Sequence, residues 1–91
     1  SLQLSISRYK EIQEAKHIVI YYTIEMTKKG SSTWKLDKRF KEFDELNNIL
    51  KKSYANLPHF PTKTFFHLKE GSDLEKRRQE LEHYMQVLRE M

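Results

Sequence analysis

The side chains able to do chemistry in this sequence are cations, and three of them stand where the local pattern makes a cation awkward. Arg39 lies within Lys38-Arg39-Phe40-Lys41-Glu42-Phe43, where an alternating segment gives way to one of helical period. A helix N-terminus presents unpaired amides and a partial positive charge, and an arginine there adds a planar fork that can hold a phosphate through two hydrogen bonds. Phe40 beside it offers a flat apolar face suited to the C–H side of a sugar-like ring. Taken alone, the segment is better read as an exposed end-of-strand arginine beside a core aromatic. Lys63 closes Leu57-Pro58-His59-Phe60-Pro61-Thr62-Lys63, whose prolines stiffen an extended ridge and give the lysine a defined direction. A plain connector, or a ligand for an aromatic-grooved partner, would have the same composition. Arg77 falls three residues after Leu74 and four before Leu81, inside an apolar stripe, where it must snorkel, pair with an acid or face an anion. Arg78 points elsewhere and is expected to be the solvated one of the pair.

Other chemistries find no footing. His17, His59, His67 and His83 have no metal-ligand spacing, and no two stand four apart on one helix. No nucleophile motif and no glycine-rich phosphate loop occurs, and the carboxylates are interspersed with lysines on helical faces. We expect no catalysis, no cofactor and no metal.

Length and composition set the frame. Ninety-one residues make one domain with a single modest core, and 37% hydrophobic against 33% charged residues is a globular balance. Without cysteine there is no disulfide and no thiolate metal site. The longest apolar run, Ile18-Val19-Ile20-Tyr21-Tyr22, is too short to span a bilayer, and no secretory signal pattern is present. A cytoplasmic setting is the expectation. Lys and Arg outnumber Asp and Glu by 17 to 13, which favours an anionic partner without choosing among nucleic acid, lipid and protein.

The elements that must position these cations follow from the periods. Leu2, Leu4 and Ile6 alternate with polar residues, predicting a strand over 2–8. A second strand is expected over 17–27, with Ile18, Ile20, Tyr22, Ile24 and Met26 on one face. Gly30 lies in a hairpin turn, and a third strand over 32–38 is predicted to turn Trp34 and Leu36 inward. From Phe40 the period becomes helical, with Phe40, Phe43, Leu46, Ile49 and Leu50 as the stripe of a helix over 40–52. The last helix is predicted over 72–91, opened by a capping box of Ser72 and Glu75 and buried along Leu74, Leu81, Met85 and Leu88. The expected fold is therefore α+β, a three-stranded antiparallel meander followed by a helical subdomain. Because the helical pattern is unbroken at Met91, the domain is expected to continue beyond residues 1–91.

Taken in order, the Lys38-Arg39-Phe40 segment with Phe43, the ridge from Leu57 to Lys63 and Arg77 four residues before Leu81 resemble the PX, or phox-homology, phosphoinositide-binding domain. Its signatures are a basic-Arg-aromatic motif at the end of the third strand, a hydrophobic-Pro-x-x-Pro-x-Lys loop and an arginine in the following helix. Trp34-x-Leu36 before the first motif also matches, and the resemblance covers nearly the whole chain short of the family's C-terminal helical end. The resemblance implies that Arg39 takes a 3-phosphate and that Phe40 stacks under the inositol ring. It also implies that Lys63 reaches the 1-phosphate and that Arg77 bonds the 4- and 5-hydroxyls. Where the family usually has tyrosine, Phe40 keeps the flat face and lacks the hydroxyl. Phe65, Phe66 and Leu68, flanked by Lys63 and Lys69, would form the loop that dips into the membrane, one of the two phenylalanines packing inward.

The expected function is a peripheral, endosomal membrane-targeting module for phosphatidylinositol 3-phosphate, as in protein transport, with protein partners arising through the rest of a longer chain. A protein-interaction module on the same fold with little lipid specificity is the alternative. Nucleic-acid binding is disfavoured, because its aromatics would have to lie exposed on a basic sheet face.

Overall fold

The computed structural model describes residues 2–61 and 71–91, the side chains of residues 71 and 72 excepted. The elements run β1 (Leu2–Glu14), β2 (His17–Lys28), β3 (Thr33–Arg39), α1 (Phe40–Lys51) and α2 (Gly71–Glu90). The strands form one antiparallel sheet of order β1-β2-β3, the expected meander. Gly30 takes φ +75 in the β2–β3 turn, which Ser31 N–H closes on the Lys28 carbonyl at 2.9 Å.

β1 is nearly twice as long as its sequence pattern predicts. After a bulge between Ile6 and Arg8 it stays paired with β2 as far as Glu14 opposite His17. The last β2–β3 pair is Tyr21 with Arg39, so the β1–β2 ribbon projects past the end of β3, turning at Ala15, whose φ is +51. The added half, from Tyr9 onward, is rich in charge, and cross-strand pairing holds it where propensity does not.

The core is Ile6, Tyr22, Ile24, Phe43 and Leu81, with Leu74 and Tyr84 also fully buried. α1 buries Phe43 and Asn47, which lie four apart on one face, while Leu46 and Ile49 are exposed. The predicted apolar stripe is thus displaced, and a polar residue occupies its centre. Met85 and Leu88 of α2 are partly buried, beside the unpredicted Tyr84. Trp34 and Leu36 pair with Met26 and Ile24 and so share the core-side face, yet they are 49% and 46% exposed. The expectation that they are buried fails because α2 lies against β1, at the other side of the sheet. Ile18 is likewise exposed, out on the projecting ribbon.

Two expectations about α2 also change. The helix already includes Gly71, so Ser72 lies inside it and not at its cap, and the Glu75 carboxylate accepts from Arg78 Nε at 2.7 and 2.9 Å. Arg78 is not solvated. Its side chain is 16% exposed and it donates to the Ile6 carbonyl across the molecule.

Candidate functional site

β3 passes into α1 without a loop: Arg39 is the last strand residue and the cap of the helix, with φ −84 and ψ 157, and Phe40 is the first helical residue. Alternation along β3 places Arg39 on the outer face with Asp37, beside Tyr21 of β2. Its guanidinium is exposed and has no hydrogen-bond or ion-pair partner among the described residues. Arginine has no acceptor, so it cannot cap the helix amides with its side chain. Half of a capping box is present instead, Glu42 Oε1 accepting from the Arg39 backbone N–H at 3.5 Å. Lys38 Nζ holds the other Glu42 oxygen at 3.2 Å, which offsets the negative charge next to Arg39.

α2 brings Arg77 back to this junction. Its guanidinium carbon lies 4.0 Å from the centroid of the Phe40 ring, a cation–π contact that puts two of the predicted site residues together. Phe60, from the two-proline ridge, packs on Phe40 at 5.4 Å with a 30° tilt and meets Tyr84 edge-on at 4.9 Å. Tyr84 Oη then donates to Asn47 Oδ1 at 2.8 Å, both groups being buried. Phe40 is therefore held by a column of contacts that joins α1, the ridge and α2. Burial pushes the Tyr22 hydroxyl up to about 12, with the charge of Arg77 opposing that rise.

On the outer face Asp37 accepts from Thr23 Oγ1 at 2.6 Å and from Lys10 Nζ at 2.9 Å, which holds its carboxyl below the usual range. This ties the base of β3 just ahead of Arg39. Lys63, Phe65, Phe66 and Leu68 lie outside the described residues. Among the described residues no group of three or more His, Asp or Glu is placed to hold a metal, and no helix is long and apolar enough to cross a membrane. A groove of about 370 Å³ opens at the far end of the sheet, with Glu25, Glu90 and Arg89 in its lining. Its mixed charge suits a polyanion poorly.

Residues 26–91 match the PX domain family, a span that includes the strand–helix junction, the ridge and α2. The chain belongs to the PX domain family. PX domains are in general phosphoinositide-binding, membrane-targeting modules without enzymatic activity. Among solved structures, a designed CISK-PX domain is similar at 31% identity and a TM-score of 0.82, over 92% of this chain and 80% of that one. No curated protein sequence matches the chain. The family match begins at Met26 and leaves out β1 and most of β2, whereas the structural likeness takes in nearly the whole chain. What the sequence reading missed around the site is Phe60, Tyr84 and Asn47, which support the PX junction from behind. The only signal for Phe60 was its place between the two prolines.

Proposed function

We propose that this PX domain targets membranes by holding the head group of phosphatidylinositol 3-phosphate between Arg39, Phe40, Lys63 and Arg77, on endosome-like membranes. The observation that carries the reading is the Arg77 guanidinium over Phe40, because residues 37 positions apart have no reason to meet unless the fold gathers them. Arg39, one residue earlier, supplies an exposed fork beside the open amides of α1, suited to a phosphate. Arg77 occupies one face of Phe40, so an inositol stacking on that face displaces the guanidinium toward the ring hydroxyls. A phosphate on the 4- or 5-carbon would crowd a position sized for a hydroxyl, which is the reason for preferring the 3-phosphate. Phe65, Phe66 and Leu68 would enter the interface beside the pocket, and the projecting ribbon adds exposed Ile12 and Ile18 at the same end of the sheet.

The test compares wild type with Arg39→Ala on liposomes matched for total charge and carrying phosphatidylinositol 3-phosphate, the 4,5-bisphosphate or phosphatidylserine. Wild type should prefer the 3-phosphate. Arg39→Ala should stay folded and lose about 1.5–3 kcal/mol, roughly tenfold to 150-fold. Unchanged binding by the folded variant, or binding that tracks lipid charge alone, would refute the pocket and favour a protein-interaction module.

A further inference from the structure

Three side chains of α2 reach the open edge of β1. Arg78 Nη1 donates to the Ile6 carbonyl oxygen, the Ile6 N–H donates to Glu82 Oε2 at 2.9 Å, and Gln86 Nε2 donates to the Leu4 carbonyl at 3.1 Å. β1 is an outer strand of the sheet, so these backbone groups face away from β2 and would otherwise need water or another strand. Residues 78, 82 and 86 stand four apart and stack along one face of the helix. Glu75 and Glu82 hold Arg78 from either side, at 2.7 and 3.6 Å. Arg77, the preceding residue, is the one that reaches Phe40.

We propose that Arg78 is a positioning residue for the head-group site, fixing the rotation of α2 about its own axis and hence the direction in which Arg77 leaves for Phe40. The inference rests on the lipid-binding reading above. Successive helical residues point about 100° apart, so one can grip the sheet edge while its neighbour faces the pocket. A side-chain tip lies roughly 5–6 Å from the helix axis, so a rotation of about 10° sweeps it by about 1 Å. A binding constellation tolerates only about 0.5 Å. Apolar packing by Leu74 and Leu81 is non-directional and permits such a rotation at small cost, whereas directional bonds to fixed backbone groups do not.

The experiment uses Arg78→Met, Arg78→Lys and Gln86→Ala, alone and combined with Arg77→Ala, with two readouts. The first is the Arg77 Nε–H proton resonance without lipid, which the Phe40 ring current moves from its ordinary position. The second is the Kd for soluble dibutanoyl phosphatidylinositol 3-phosphate. Arg78→Met should return the Arg77 resonance toward its ordinary position and weaken binding about fivefold, within the range for residues that are coupled. It should cost nothing further once Arg77 is alanine. Arg78→Lys, which keeps a cation for Glu82 and a donor for Ile6, should restore most of the resonance shift and the affinity. An unmoved resonance in folded Arg78→Met, or equal losses in both backgrounds, would overturn the proposal in favour of general stabilisation. If Arg78→Met does not fold, Gln86→Ala, which removes one directional bond of the same grip on β1, decides by the same criteria. If wild type fails to bind the soluble lipid, the lipid-binding reading falls, and the resonance alone then judges whether Arg78 aims Arg77.

Discussion

Replacing Arg77 with alanine should both loosen the fold and weaken lipid binding. By its place in an apolar stripe this arginine looks like a net cost, and its removal would be expected to leave the protein at least as stable. The contact with Phe40 reverses that sign. A cation–π pair contributes about 0.5–1 kcal/mol when exposed and about 2 when desolvated, and Arg77 is half-buried with its carbon 4.0 Å from the ring centroid. About 1 kcal/mol is therefore at stake, which lowers the melting temperature by about 4–8 °C in a domain of this size. Binding to the soluble head group should fall more steeply, by about 1.5–3 kcal/mol, because hydrogen bonds from a charged donor are lost along with the platform. Arg77→Lys should recover little of either, since an ammonium stacks less well and has no planar fork. Thermal melts followed by circular dichroism, with calorimetric titration of the soluble lipid, separate the two effects. A melting temperature that rises or stays fixed would show that the contact contributes nothing. Head-group affinity unchanged in the same variant would remove Arg77 from the site.

Phe66→Glu should weaken binding to bilayers at least tenfold more than binding to the soluble head group, since a charge must leave the interface; equal losses would make Phe66 structural. Tyr84→Phe leaves the buried Asn47 carbonyl without its 2.8 Å donor and should cost about 1–3 kcal/mol in urea unfolding, part of which Asn47→Leu should return in the double variant. The Tyr22 hydroxyl, pushed up to about 12 by burial, stays protonated in the folded state while the unfolded chain ionises near 10. Its contribution is complete below pH 10 and is lost as pH rises toward 12, on the order of 2 kcal/mol, so Tyr22→Phe should flatten the alkaline arm of the stability profile.

The sheet, the β2–β3 turn and the start of α1 were legible because each leaves a periodic or conformational mark: alternation from Ile20 to Met26, a glycine at positive φ, a change of period at Phe40. Alternation fixes which face a residue shares and says nothing of what covers that face, so Trp34 and Leu36 were assigned the right side and the wrong burial. Asn47 looks like a surface residue until Tyr84 of another helix supplies its donor. Pattern set Arg78 apart from Arg77 as the solvated one and was wrong, since its partner Ile6 lies 72 residues away. The far half of β1 carries mostly polar and charged residues and turns on Ala15 without an Asn-Gly or Asp-Gly signal, so nothing local announces the hairpin.

The cations at the junction were conspicuous in the sequence, but what brings Arg77 to Phe40 beside Arg39 is the aromatic column behind them. Phe60 belongs to a ridge whose prolines remove backbone freedom, yet stiffness alone would leave the ridge free to pivot about its ends. Its ring, held at 5.4 Å from Phe40 and 4.9 Å from Tyr84, stops that pivot, and Pro61 is buried directly after it. Tyr84 is held in turn by Asn47 of α1, so the column closes on the helix that begins at Phe40. Phe60 thereby fixes the ridge to the same aromatic that Arg77 covers. Loosening Phe60 would free the ridge and Phe40 together while leaving Arg39 and Arg77 chemically intact. The spacing of the ridge motif thus serves geometry first, with the two prolines flanking the aromatic that closes the column.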